Sequence, residues 1–157
     1  VFSLCNHESH IMNYLKGNLL DLFDSGYFNV IVHGCNCFHK MGAGIALQIK
    51  KRYPQAYEVD LKTSYGDRTK LGTISVAKLA NDKFIINAYT QYFYGRRTKQ
   101  VDYQAIKFSM FLVKECFGNL KIGIPRIGAG LAGGNWKIIE QIIDSLNFPF
   151  ITCVTLK

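Results

Sequence analysis

Two stretches of this 157-residue chain set glycines where a strand hands over to a helix, the place where backbone N–H groups can be presented to an anion. In VIVHGCNCFHKMGAGIALQIKK the strand ends near His33-Gly34, and Met41-Gly42-Ala43-Gly44 opens into a helix from Ile45. In IGIPRIGAGLAGGNWKII the strand ends at Pro125, and Gly128, Gly130, Gly133 and Gly134 precede a helix from Trp136. A helix N-terminus carries unpaired donors and about half a positive charge, so phosphate is the natural guest. Two such turns at one sheet edge can embrace both phosphates of a diphosphate. Gly128, Gly130 and Gly133 also fit G-x-G-x-x-G, yet the acidic residue expected about 20 positions on is replaced by Phe148 and Pro149, which argues against a nicotinamide dehydrogenase.

Around the turns stand the side chains with chemistry of their own. His33 has the proton affinity of a general base or of a nucleophile toward phosphorus, and equally that of a hydrogen-bonded core histidine. His39 lies in the loop before Met41. Phe38, Tyr92, Phe93 and Tyr94 supply rings that can stack on a ligand or fill the core, Arg96, Arg97 and Lys99 form a basic flap, and Asn135 reads as a helix cap.

Short runs rich in Val, Ile, Phe and Tyr predict strands at NYLKG, NVIVHGCN, GTISVAKL, KFIINAYT, LKIGIP and PFITCVTL. Helical patterns predict helices over 45–53, 55–65, 103–117 and 136–146. Ile106, Met110, Val113 and Phe117 make one apolar stripe, and Trp136, Ile139, Ile143 and Leu146 make another. Strands alternating with helices imply a three-layer α/β/α sandwich. The tight Ala80-Asn81-Asp82 turn implies one antiparallel hairpin, hence a mixed, mostly parallel sheet.

At roughly 150 residues per domain the chain is one domain, expected over 12–157, with 1–11 left as an N-terminal tail without the pattern of a secretory leader. With 48% hydrophobic residues and 19 Lys plus Arg against 11 Asp plus Glu, the net charge is +8, which excludes disorder and suits an anionic partner without choosing one. No apolar run reaches the roughly 18 residues of a bilayer span. Five cysteines without scaffold spacing, among them Cys35 and Cys37, point to free thiols, no metal site and a cytoplasmic compartment.

Both glycine turns resemble those of the macro domain family, modules that bind ADP-ribose on a mixed-sheet α/β/α fold. The resemblance runs from Asn13 onward through Lys16-Gly17-Asn18, HGCNCFHKMGAGIALQIKKRYP and PRIGAGLAGGNW. It is nearest to the branch of yeast-type ADP-ribose 1″-phosphate phosphatases and their phage and glycohydrolase relatives. It implies that Asn18 lies by the adenine, that Asn36 and the Met41, Gly42, Ala43, Gly44 and Ile45 segment surround the distal ribose, and that Leu19 and Cys35 also touch the ligand. Gly128, Ala129, Gly130, Leu131, Ala132 and Gly133 would hold the diphosphate, with Gln91 and Tyr92 alongside.

Three positions depart from the family pattern. Asn18 replaces an Asp, Gln91 stands where glycohydrolases of this branch carry Lys, and Ala132 stands where they carry Asp, so lysyl-adduct chemistry is not expected. The implied activity is hydrolysis of ADP-ribose 1″-phosphate, with His33 handling the proton or the phosphorus and Asn36 orienting the ribose. A non-catalytic ADP-ribose reader and a hydrolase of ADP-ribosyl adducts or esters are the alternatives. Expected partners are an ADP-ribose derivative or an ADP-ribosylated macromolecule, not nucleic acid or membrane. No cofactor is expected, and the protein is expected to be a monomer.

Overall fold

A computed structural model describes residues 11–95 and 98–156. The elements in chain order are β1 (Asn13–Lys16), α1 (Leu19–Asp24), β2 (Val30–Cys35), α2 (Gly44–Arg52), α3 (Pro54–Leu61), β3 (Ile74–Lys78), β4 (Phe84–Tyr89), α4 (Tyr103–Phe117), β5 (Ile122–Ile124), α5 (Trp136–Asp144) and β6 (Ile151–Thr155). The six strands form one sheet in the order β1-β6-β5-β2-β4-β3. Every pairing is parallel except β3 with β4, the hairpin that the Ala80–Asp82 turn closes with Asn81 and Asp82 at positive φ.

Strand alternation divides the core in two. Val30, Val32, Ile86, Ala88, Ile122 and Ile124 face Ile106, Met110 and Val113 of α4 and Ile139 and Ile143 of α5. On the other face Ile31 and Ile85 pack with Leu20 and Phe23 of α1, Ile49 of α2 and Ala56 of α3. The expected three layers are present, and the mixed sheet is as the sequence predicts.

The differences lie in the short elements. The helix expected over 55–65 ends at Leu61, where Lys62 closes it and the chain turns through Gly66, at positive φ, to lay Tyr65 against Phe38. The last helix stops at Asp144, two residues early, because the Ser145 hydroxyl and N–H both turn back onto its final carbonyls. Helix α1 was not expected, since six residues give no readable period. Of the N-terminal tail only Ile11 lies within the described residues, and Cys5 lies outside them. Among the described residues no helix is long and apolar enough to cross a membrane, and no group of His, Cys, Asp and Glu could hold a metal.

Candidate functional site

Parallel strands that end together leave their following loops on one rim of the sheet, where ligands of α/β folds are taken up. The loop after β2 is braced from within. Asn36 Oδ1 accepts from the N–H groups of Phe38 (2.8 Å) and Lys40 (3.3 Å), and Asn36 Nδ2 donates to the Lys40 carbonyl at 2.8 Å. The loop then enters α2 through Gly44, at φ +57°, with Ala43 in the N-cap position and no side chain capping the first turn. The donors of that turn are therefore free to meet a ligand, and Lys50, Lys51 and Arg52 in the last turn complement the helix dipole.

The loop after β5 is held differently. Gly134 N donates to the Gly128 carbonyl at 2.8 Å, closing the loop on itself, and the Ala132 carbonyl accepts from Gln100 N (2.8 Å) and Val101 N (3.2 Å). Helix α5 is capped by Asn135, whose Oδ1 accepts from Lys137 N and Ile138 N. The donors this loop can offer are thus its own N–H groups and not the end of α5. The two loops meet: a Cβ placed on Gly44 would lie 3.7 Å from Leu131 Cδ1.

Between them lies a cleft of about 1000 Å³. Of the residues expected at the site, Asn36, Gly42, Ala43, Gly44, Ile45, Gln91 and the run Gly128, Ala129, Gly130, Leu131 and Ala132 line it. Lys40, Pro125, Arg126 and Trp136 also line it, and sequence reasoning had not assigned them there; Tyr94, one of the rings expected near a ligand, and Gly134 of the second glycine turn line it as well. Lys40 and Arg126 are the charged residues of the wall, and among the described residues no carboxylate joins them. The charge that these two side chains give the wall is positive.

Asn18, Leu19, Cys35, Met41, Tyr92 and Gly133 are not part of this wall. Asn18 Oδ1 caps α1 by accepting from Asp21 N at 3.0 Å, while Leu19 packs under the same helix. Cys35 and Met41 are buried with Tyr89, and burial pushes the Cys35 thiol well above its ordinary range. The Tyr92 hydroxyl donates to the Gly66 carbonyl, with Arg68 stacked 3.8 Å from its ring centroid. Gly133 backs onto Lys99. Of the basic flap, Lys99 lies 4.5 Å over the Tyr103 ring, and Arg96 and Arg97 fall outside the described residues.

His33 requires a correction. Its neighbour Gly34 lines the cleft, so alternation turns the imidazole to the opposite face of β2, where its exposure is 0%. Asn87 Nδ2 donates to the Ala56 carbonyl (2.9 Å) and Ser75 Oγ (3.0 Å), which leaves Asn87 Oδ1 to accept from His33 Nε2 at 2.6 Å. Burial lowers the His33 pKa from 6.5 to about 4, the Asn87 bond opposing the shift. Burial thus favours the neutral ring, and its side chain stands away from the cleft wall.

The depressed pKa has a stability consequence. Above 6.5 the ring is neutral in both folded and unfolded chains and contributes no slope. As pH falls from 6.5 toward about 4 the unfolded chain takes up a proton that the folded one refuses, so stability drops across that window. Urea midpoints measured between those values should fall more steeply for the wild type than for His33→Gln; parallel slopes would show that His33 titrates normally.

The Macro domain model matches residues 32–143, which contain both loops. The chain belongs to the macro domain family. This macro domain is 42% identical over 144 residues to an uncharacterized 17.5 kDa protein of the tk-vs intergenic region of Enterobacteria phage T4, covering 86% of this chain and 89% of the relative. It is 25% identical over 166 residues to an ADP-ribose 1″-phosphate phosphatase of Saccharomyces cerevisiae, covering 87% of this chain and 93% of the relative. Among solved structures, the macrodomain of Mycobacterium tuberculosis DarG superposes with a TM-score of 0.71 at 23% identity, covering 94% of this chain and 99% of that one. In the macro domain described here Gln91 and Ala132 both lie in the cleft wall, and neither side chain is ionisable.

Proposed function

We propose that the cleft binds an ADP-ribose derivative with its diphosphate between the two glycine loops, and that it removes the terminal phosphate from ADP-ribose 1″-phosphate. The observation that carries this reading is the uncapped first turn of α2 facing the loop of residues 128–134 across a cleft whose charged residues, Lys40 and Arg126, are cationic. A diphosphate with a further phosphomonoester is the most anionic form such a ligand takes, and it matches that wall best. The name of the yeast relative supports the same substrate.

In hydrolysis a water oxygen bonds to phosphorus while the bond from phosphorus to the C1″ oxygen breaks, and the proton lost by water ends on the departing oxygen. Lys40 and the free N–H groups of Gly42 to Ile45 stabilise the charge spread over the phosphoryl oxygens. Asn36 has one Nδ2 hydrogen left for a ribose hydroxyl. Among the described residues no carboxylate lines the wall to assist, so turnover is slow.

That no carboxylate or imidazole lines the wall among the described residues also supports a second reading, a reader that binds ADP-ribose and releases nothing. Calorimetry with ADP-ribose, followed by phosphate release from ADP-ribose 1″-phosphate, separates the two. The expected result is saturable heat and phosphate release that Lys40→Ala slows about tenfold or more and His33→Gln leaves nearly unchanged. Heat without phosphate selects the reader, and no heat removes both.

A further inference from the structure

We infer that Trp136 is the platform on which the ligand's nucleobase stacks, with Tyr14 as the residue that holds it in position. The inference rests on the reading of the cleft as an ADP-ribose site. Trp136, the chain's single tryptophan, opens α5 and lines the cleft beside Pro125 and Arg126. Its Nε1–H donates to the Tyr14 hydroxyl at 2.7 Å, and that hydroxyl donates in turn to the carboxylate of Glu140, four residues along α5.

The direction of this relay has a chemical consequence. With its lone N–H spent on Tyr14, the indole has no donor to offer a ligand and presents only its ring surface. The bond to β1 also fixes the ring plane, so little side-chain entropy is lost on stacking. A flat aromatic surface already fixed in place suits a base, since every base has a face to stack.

The two ends of the cleft divide the ligand accordingly. Asn36, Lys40 and Gln91, which follow β2 and β4, offer amides and an ammonium to hydroxyls and phosphate. Trp136 and Pro125 follow β5, which lies on the other side of β2 from β4 in the sheet order. A diphosphate between the loops, with its hydroxyls and phosphate toward the β2 and β4 side, sends the base toward the indole. Asn18, the position implied for adenine by resemblance, has its side-chain oxygen on Asp21 N and stands outside the wall. The base is therefore gripped by its face and not read at its edge, and purines are discriminated weakly.

The single tryptophan supplies the readout. ADP-ribose should quench its emission with the midpoint found by calorimetry, while inorganic pyrophosphate leaves the emission unchanged. Guanosine diphosphate ribose should bind within about threefold of ADP-ribose, because stacking tolerates either purine. Trp136→Leu should weaken ADP-ribose about tenfold, and Trp136→Phe, which keeps a ring, should stay within about threefold of wild type. Tyr14→Phe should shift the emission of the free protein and shrink the quench, which loss of a merely structural contact elsewhere would not do. Calorimetric binding with unaltered emission, and with Trp136→Leu equal to wild type, would overturn the platform and leave the proposed function standing. No calorimetric binding at all would overturn both.

Discussion

Gly130→Glu is expected to abolish ADP-ribose binding at the concentrations that saturate the wild type while leaving the melting temperature nearly where it was. Gly130 lines the cleft, its φ is not left-handed, and a Cβ built on it meets no heavy atom within 4 Å. A side chain there strains neither backbone nor core. A carboxylate about 5 Å from a phosphate repels it by roughly 3 kcal/mol at an effective dielectric constant near 20, which is on the order of a hundredfold in affinity. Gly130→Ala and Gly130→Lys separate charge from bulk: Gly130→Ala should bind within about threefold of wild type, and Gly130→Lys, whose charge attracts the phosphate, should bind at least as tightly. Calorimetry and thermal unfolding on the four proteins decide the matter. A Gly130→Glu protein that binds ADP-ribose normally would remove the diphosphate from between the loops.

The same distinction between backbone and side chain explains what was legible in the sequence. Strands β1 to β6 and helices α4 and α5 announce themselves through apolar period and turn residues, and the hairpin through Ala80-Asn81-Asp82. The glycine loops could be read as anion sites because their chemistry belongs to the backbone and needs only the order strand, glycine, helix. Side chains were harder, because the face a residue presents is set by its neighbours in space. His33 and Gly34 both end β2, and alternation alone cannot say which of the two looks into the cleft. The structure gives that place to Gly34, because His33 is held to Asn87 on the α3 side. Trp136 fits the apolar stripe of α5 as well as any core residue would, and neither its place in the cleft wall nor its bond to Tyr14, from the far end of the chain, leaves a trace in that stripe. Lys40 and Arg126 carry no periodic signal at all. Asn18, Leu19, Cys35, Met41, Tyr92 and Gly133 were placed by resemblance, and each is occupied here by local bonds or packing outside the wall.

The adjacent glycines 133 and 134 make the second large prediction, because they are required for different reasons. Gly133 sits at φ +76°, but a Cβ there would lie 3.5 Å from Lys99 Cα, an ordinary contact. Gly133→Ala therefore meets only the cost of a left-handed backbone, about 1 kcal/mol. Gly134 has no such φ, and its constraint is proximity: a Cβ would stand 2.5 Å from the Gly128 carbonyl oxygen and 2.8 Å from Val101 Cγ1. That carbonyl is the acceptor for Gly134 N, so the bond that closes the loop cannot survive a methyl group. Overpacking against backbone, together with loss of the bond that closes the loop, is expected to destabilise Gly134→Ala by about 3 kcal/mol. The loop should open and ADP-ribose binding should be lost with it, even in the fraction that stays folded. Urea denaturation paired with calorimetry at a temperature where both variants are folded tests the contrast. If Gly134→Ala is no less stable than Gly133→Ala, the loop closes by some contact other than the bond between residues 128 and 134.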